Sequence, residues 1–244
     1  MSSLNTTSPT RAPWNGFPEV AVHSSIYKLK TLPGYQAAKK GDNRAATRIA
    51  AALINPGRLN ISVGYIVPVI PVDAGRYNAI PVAFAALLAK RLGARLWLDV
   101  FQINKVNHTG ADGIDRLKHQ PVFDGSTPDG TCIICDDVVT YGASLANLRG
   151  FLIAAGTKVI AATVIGAAYG STKLAPDHIL TQKLQRRYGP ELERYTTPLG
   201  FRSECLTARE AYFLEGIRTL DRLRACFAQE IGSTDRSRGV RCRI

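Results

Sequence analysis

Apolar positions in this chain follow two rhythms. Over 61–71 ("ISVGYIVPVIP") and 158–168 ("KVIAATVIGAA") they run on continuously and are rich in β-branched residues, the pattern of strands buried on both faces. "ARLWLDV" (94–100) and "TCIIC" (131–135) read as further strands. Between these runs the apolar residues fall at helical spacing. Ile49, Leu53 and Ile54 give one face to a helix that Asp42 or Asn43 caps and Asn55-Pro56-Gly57 stops. "AIPVAFAALLAKRLG" (79–93) predicts a helix closed by Gly93. Leu145, Leu148, Phe151 and Leu152 line a third helix that starts near Gly142 and ends at Gly156. Strands alternating with helices predict an α/β fold: a parallel sheet, right-handed crossovers and helices on both faces.

Two stretches break the alternation. Residues 104–130 are polar, rich in Gly and Pro and without periodicity, and this length suits a lid over a site. Beyond 170 the strands stop. "APDHILTQKLQRRYG" reads as a helix, and 206–232 as one long helix opened by a capping box of Thr207 and Glu210. The predicted organisation is a disordered leader (1–18), an α/β domain (19–170), a helical extension (171–232) and a basic tail (233–244).

With 244 residues, 45% hydrophobic and 20% charged, the chain is long enough for one sizeable core. No apolar run reaches membrane-spanning length, and "MSSLNTTSPTRAPWNG" lacks the charged and apolar regions of a secretory signal, so a cytoplasmic protein away from membranes is expected. The five cysteines have no metal-site spacing. Cys132 and Cys135 lie in a strand pattern that turns them to opposite faces, and all five are expected to be buried structural thiols. The net charge of +12 divides as +5 over 1–57, +2 over 58–170 and +5 over 171–244. Basic flanks of this kind suit an anionic ligand or nucleic acid, or simply a solvated surface.

Chemistry concentrates at "CIICDDVVTYGAS", 132–144. In an open parallel sheet, ligands bind beyond the carboxyl ends of the strands. The reading puts Asp136 and Asp137 there, in a turn leading to a helix whose free N–H groups favour phosphate. Thr140 and Ser144 offer hydroxyl donors. Carboxylates that accept from a diol, beside amides that hold a phosphate, suit a ribose 5-phosphate. Two aspartates after a strand also serve simply to close a turn and cap a helix.

This segment resembles the 5-phosphoribosyl-1-pyrophosphate (PRPP) motif of type I phosphoribosyltransferases: apolar positions, an acidic pair, two aliphatics, then Thr, Gly and Ser. "YKLKTLPGYQAAKKGDNRAATRIAAALI", "IVPV", "GRYNAIPVAFAALLAKRLG" and "RLKHQPVF" extend the resemblance to ComF-like members over roughly 27–168. The zinc-ribbon pattern that starts many ComF proteins is not read in these residues, the usual Arg-Gly-Phe-Asn stretch reads Gly75-Arg76-Tyr77-Asn78, and Tyr141 is bulkier than the family's usual residue.

The resemblance implies that Asp136 and Asp137 act as the catalytic pair, holding the ribose hydroxyls directly or through Mg²⁺. It implies that Val138, Val139, Thr140, Tyr141, Gly142, Ala143 and Ser144 wrap the 5-phosphate. Asp73, Arg76 and Tyr77 would face pyrophosphate, and Lys105, His108, Arg116 or Lys118 would approach the leaving group from the 104–130 loop. Tyr141 is expected to turn its ring away from the phosphate. The implied activity joins a nitrogen base to PRPP and releases pyrophosphate. A PRPP sensor that binds nucleic acid or a protein partner without catalysis is the alternative, and a homo-oligomer is compatible with either.

Overall fold

The structure, a computed structural model, describes residues 10–73, 76–104, 106 and 113–228. Its first half runs β1 (Ala21–Val22), α1 (Ile26–Thr31), α2 (Tyr35–Lys39), α3 (Asn43–Leu53), β2 (Tyr65–Pro68), β3 (Val72–Asp73), β4 (Arg76–Tyr77), α4 (Ala79–Leu92), β5 (Arg95–Leu96) and β6 (Val100–Gln102). Then come α5 (Gly113–Lys118), β7 (Phe123–Gly125), β8 (Thr131–Val139), α6 (Ala143–Ala154), β9 (Lys158–Ala167), α7 (His178–Tyr188), α8 (Pro190–Thr196), α9 (Ala208–Gly216) and α10 (Leu220–Ala228).

Five of the strands form one parallel sheet in the order β1-β9-β8-β2-β5. Alternation along β8 sends Ile133 and Cys135 into a core with Leu29, Ile49, Ile80 and Phe84. It sends Cys132 and Ile134 into a second core with Leu145, Leu148, Phe151 and Trp14. Helices therefore cover both faces, as the continuous apolar strands require. Asp42 caps α3 through the Ala45 N–H (2.9 Å), and Gly93 closes α4 in the left-handed region at φ 63°, both as the sequence indicates.

Several boundaries differ from expectation. Of 61–71 only Tyr65–Pro68 forms a strand of the sheet; the Val69 N–H still donates to the Cys135 carbonyl at 2.8 Å, and beyond it Ile70 and Pro71 meet Gln102 instead. The run 94–100 splits: Arg95–Leu96 pairs with β2, and the chain then leaves the sheet so that β6 pairs antiparallel with β7. The 104–130 stretch thus contains a strand and the helix α5. The long helix expected over 206–232 is two, α9 and α10, interrupted at 217–219.

Residues 10–18 fell within the expected leader, yet they are packed. Trp14 is buried and donates its Nε1–H to the Leu206 carbonyl at 2.7 Å. Arg149 of α6 donates to the carbonyls of Ala12 (3.0 Å) and Pro13 (2.9 Å), and Arg11 is buried against the extension. Residues 1–9 and the 233–244 tail lie outside the described residues. Cys132, Cys135 and Cys205 are free and buried, and burial pushes the Cys132 thiol up to about 12, so it carries no thiolate chemistry. Cys226 departs from the expectation of free thiols: it is disulfide-bonded. No described helix is long and apolar enough to cross a membrane.

Candidate active site

The aspartates do not stand in a turn. β8 continues to Val139, with Asp136 opposite Val164 and Val138 opposite Gly166 of β9. Both carboxylates, with Val138 and Val139, therefore ride on the last positions of a central strand, which fixes their backbones more firmly than a turn would. The Asp136 Oδ1 accepts the Asp137 N–H at 2.8 Å. Asp137 is buried, and its Oδ2 accepts from Lys39 Nζ at 3.0 Å. Asp136 is half-buried. Burial first, and then the charge of Asp137, hold its carboxyl well above the usual range. Burial works against the Lys39 charge, but the ion pair and hydrogen bond with Asp137 outweigh it and raise that ammonium's pKa.

Beyond Val139 the chain turns at Thr140 and Tyr141 into α6. Gly142 stands at the helix start with φ 83°, in the left-handed region that a Cβ disfavours. A Cβ there would also lie 2.6 Å from Leu174 Cδ2. No side chain caps α6, as at α2 and α8, whereas Asp42, Asn78, Asp177 and Thr207 cap α3, α4, α7 and α9. Asp136, residues 138–145 and Arg116 line a cavity of about 40 Å³ at this uncapped end. The cavity holds Thr140, Tyr141, Gly142, Ala143 and Ser144 together with Asp136.

Tyr141 joins this loop to the extension. Its ring is half-buried beside the cluster of Leu184, Leu206, Phe213 and Leu214. The Arg116 guanidinium lies 5.0 Å and that of Arg209 5.9 Å from the ring centroid. The Tyr141 carbonyl accepts from Thr207 Oγ1 at 2.6 Å. Thr207 opens α9 through a capping box with Glu210, as the sequence indicates. Glu210, fully buried, accepts from Arg11 at 2.7 and 2.8 Å, and Arg11 also reaches Gln120 at 2.6 Å. Gln120 in turn accepts from Asn147 of α6 at 2.7 Å. A buried polar chain thus runs from the N-terminal segment through α9 to the turn, and from Gln120 to α6.

The other expected contacts divide. Arg116 reaches the cavity beside the turn at 140–144 and so stands with the phosphate cradle. Lys118 shares α5 and does not line that cavity. Tyr77 donates its hydroxyl to Asn43 Oδ1 at 2.6 Å, which ties the β3–β4 hairpin to the start of α3. Asp73 and Arg76 form that hairpin through their backbones. Lys105 and His108 lie outside the described residues. Lys39 went unrecognised in the sequence: it meets Asp137 across 98 positions, and the only local hint is that two adjacent buried carboxylates call for a cation. Arg209 was equally hidden.

A carboxyl of raised pKa, a neutralised carboxylate and an open set of helix amides can hold a hydroxylated anion. A group of three or more His, Cys, Asp or Glu able to hold a metal is absent among the described residues.

No known protein-family model matches the chain. It is 35% identical over 223 residues to "Protein TraN" of Escherichia coli, an alignment covering 88% of this chain and 50% of that protein. It is 36% identical over 152 residues to an uncharacterized protein of Haemophilus influenzae, covering 59% of this chain and 34% of that protein. The chain thus spans half the length of the first relative and about a third of the second. Among solved structures it is similar to orotate phosphoribosyltransferase from Aeropyrum pernix, with 22% identity, a TM-score of 0.33 and coverage of 55% of this chain and 64% of that one. Adenine phosphoribosyltransferase from Leishmania tarentolae matches with 13% identity, a TM-score of 0.34 and coverage of 76% and 79%. The enzyme of the same name from Thermoanaerobacter pseudethanolicus matches with 18% identity, a TM-score of 0.30 and coverage of 50% and 67%.

Proposed function

We propose that this chain binds PRPP at the carboxyl end of β8 and transfers its 5-phosphoribosyl group to a nitrogen base. The observation that carries this reading is the uncapped start of α6 opening into a cavity shared with Asp136. The N–H groups of the first helical turn have no partner within the helix and carry its positive dipole end, so a phosphate monoester satisfies both. Asp136, at the rim of the same cavity, accepts from a ribose hydroxyl.

In the reaction the C1–O bond to pyrophosphate breaks and the leaving oxygen keeps the electron pair. The base nitrogen forms the new bond to C1 and gives its proton to solvent. Positive charge grows on the ribose ring meanwhile, and the carboxyl groups at the end of β8 stabilise it. No protein nucleophile is needed, in keeping with the buried, inert thiols.

The donor set fits Mg²⁺ in one way only. Asp137 is already paired with Lys39, which leaves Asp136 as the carboxylate able to face a cation brought in on the substrate's own oxygens. Mg²⁺ bound so would neutralise charge on the departing pyrophosphate. Lys39 holds the Asp137 carboxylate in place through their 3.0 Å ion pair.

The test is a panel of purine and pyrimidine bases incubated with the protein, PRPP and Mg²⁺ and scored for pyrophosphate. Release with one base supports the transferase. PRPP binding without release from any base supports the sensor.

A further inference from the structure

We propose that Tyr141 is a positioning residue that holds the Arg116 guanidinium beside the phosphate cavity, so that Arg116 adds a side-chain donor to the main-chain cradle. The inference rests on the phosphoribosyl reading of that cavity and assigns a specific anion contact within it.

Three observations converge. Arg116 comes from α5, outside the sheet, yet lines the same cavity as Asp136 and the turn at 140–144. Its guanidinium lies 5.0 Å from the Tyr141 ring centroid, within the range at which an aromatic face attracts a cation. A second guanidinium, Arg209, lies 5.9 Å from the same centroid. Arg209 stands in the first turn of α9, where the helix dipole disfavours a cation.

The position of α5 is not incidental. Ile114 and Leu117 are buried with the helices of the extension, and a Cβ on Gly113 would lie 2.1 Å from the Phe213 ring. α5 therefore docks closely on α9, and this docking delivers Arg116. A small residue at 141 would leave the cradle amides in place but remove the platform under the arginine. The bulky ring turns away toward the extension and becomes the link between cradle and cation. The ligand chemistry is a phosphate monoester dianion, and a guanidinium can meet its oxygens bidentately.

The experiment is calorimetric titration of the full chain with ribose 5-phosphate and with PRPP and Mg²⁺, each at two salt concentrations. Arg116→Gln should weaken ribose 5-phosphate binding by about ten- to a hundredfold and flatten its salt dependence. Tyr141→Leu should lose a similar factor, Tyr141→Phe should bind like the unaltered protein, and Tyr141→Leu with Arg116→Gln should be no worse than either alone. If Arg116→Gln does not fold, Arg116→Lys serves in its place. It should bind more weakly than the unaltered protein, because an ammonium lacks the planar fork that meets two phosphate oxygens. Unaltered affinity in folded Arg116→Gln or Arg116→Lys, or fully additive losses in the double variant, would overturn the inference. If those variants bind normally while Asp136→Asn does not, the phosphoribosyl reading survives and only the role of Arg116 falls. If the unaltered protein binds neither ligand, both fall.

Discussion

The two sides of the cavity are built in opposite ways. Its acidic side is one strand end: Asp136 and Asp137 are neighbours in sequence, and the ladder to β9 fixes them. Its cationic side is gathered from afar. Arg116 comes from α5 and lines the cavity, Arg209 of α9 stands behind it near the Tyr141 ring, and Thr207 anchors the Tyr141 carbonyl and is itself braced by the Glu210–Arg11 pair. A strand end is secured by the sheet's core. A composite wall is secured only by the contacts among its parts, so it is the side that perturbation should reach first.

The largest expected effect is therefore remote from the cavity. Arg11→Met leaves Glu210 buried without its partner and should cost about 3–5 kcal/mol in chemical denaturation. A loss below about 1 kcal/mol would mean that the pair does not brace the wall. His23 comes next and belongs to the sheet. It is buried, its Nδ1 accepts the Asn55 N–H at 2.8 Å and its Nε2 lies 3.0 Å from Thr163 Oγ1. Burial, and then the charge of Arg58, lower its pKa to about 4. The unfolded chain thus binds a proton that the folded one refuses, and stability falls as pH drops from about 6.5 to about 4, by up to about 3 kcal/mol. His23→Gln should flatten stability across that window, and an unchanged acid limb would remove His23 as its cause.

Gly142→Ala should cost about 1–3 kcal/mol, from its positive φ and the contact with Leu174, and should weaken phosphate binding as well. Thermal melts paired with ribose 5-phosphate titration check both. The aspartates should give the smallest effect on folding and the clearest contrast. The folded-state pKa of Asp136 is raised, so its ionisation costs stability as pH rises from the unfolded value through the folded one. Asp136→Asn should accordingly be neutral to slightly stabilising at pH 7, while Asp137→Asn strips Lys39 of its partner and should destabilise. Equal melting temperatures for the two would show that the neighbours are not differently placed.

The same contrast separates what the sequence discloses from what it hides. Continuous β-branched runs reveal the strands, and helical spacing reveals α3, α4 and α6. The acidic pair and the glycine turn are local in the chain, so their pattern survives being read in one dimension. Their placement in a strand rather than a turn is hidden because aspartates are depleted in strands and common in turns, although Val138 and Val139 favour a strand. The contacts of Lys39 with Asp137 and of Arg11 with Glu210 span 98 and 199 positions, and no local periodicity encodes them. Trp14 and Arg11 look like leader residues because their partners lie far along the chain. Residue 141 shows both limits. A tyrosine in a small-residue turn is visible in sequence as a departure, while its neighbours from α5 and α9 appear only in the fold.

Titration of the unaltered protein and of Asp136→Asn with PRPP and Mg²⁺, followed by calorimetry, tests the central claim most directly. The account predicts saturable binding to the unaltered chain and its loss in a variant with an unlowered melting temperature. Equal binding by the two, or none by the unaltered chain, would contradict it.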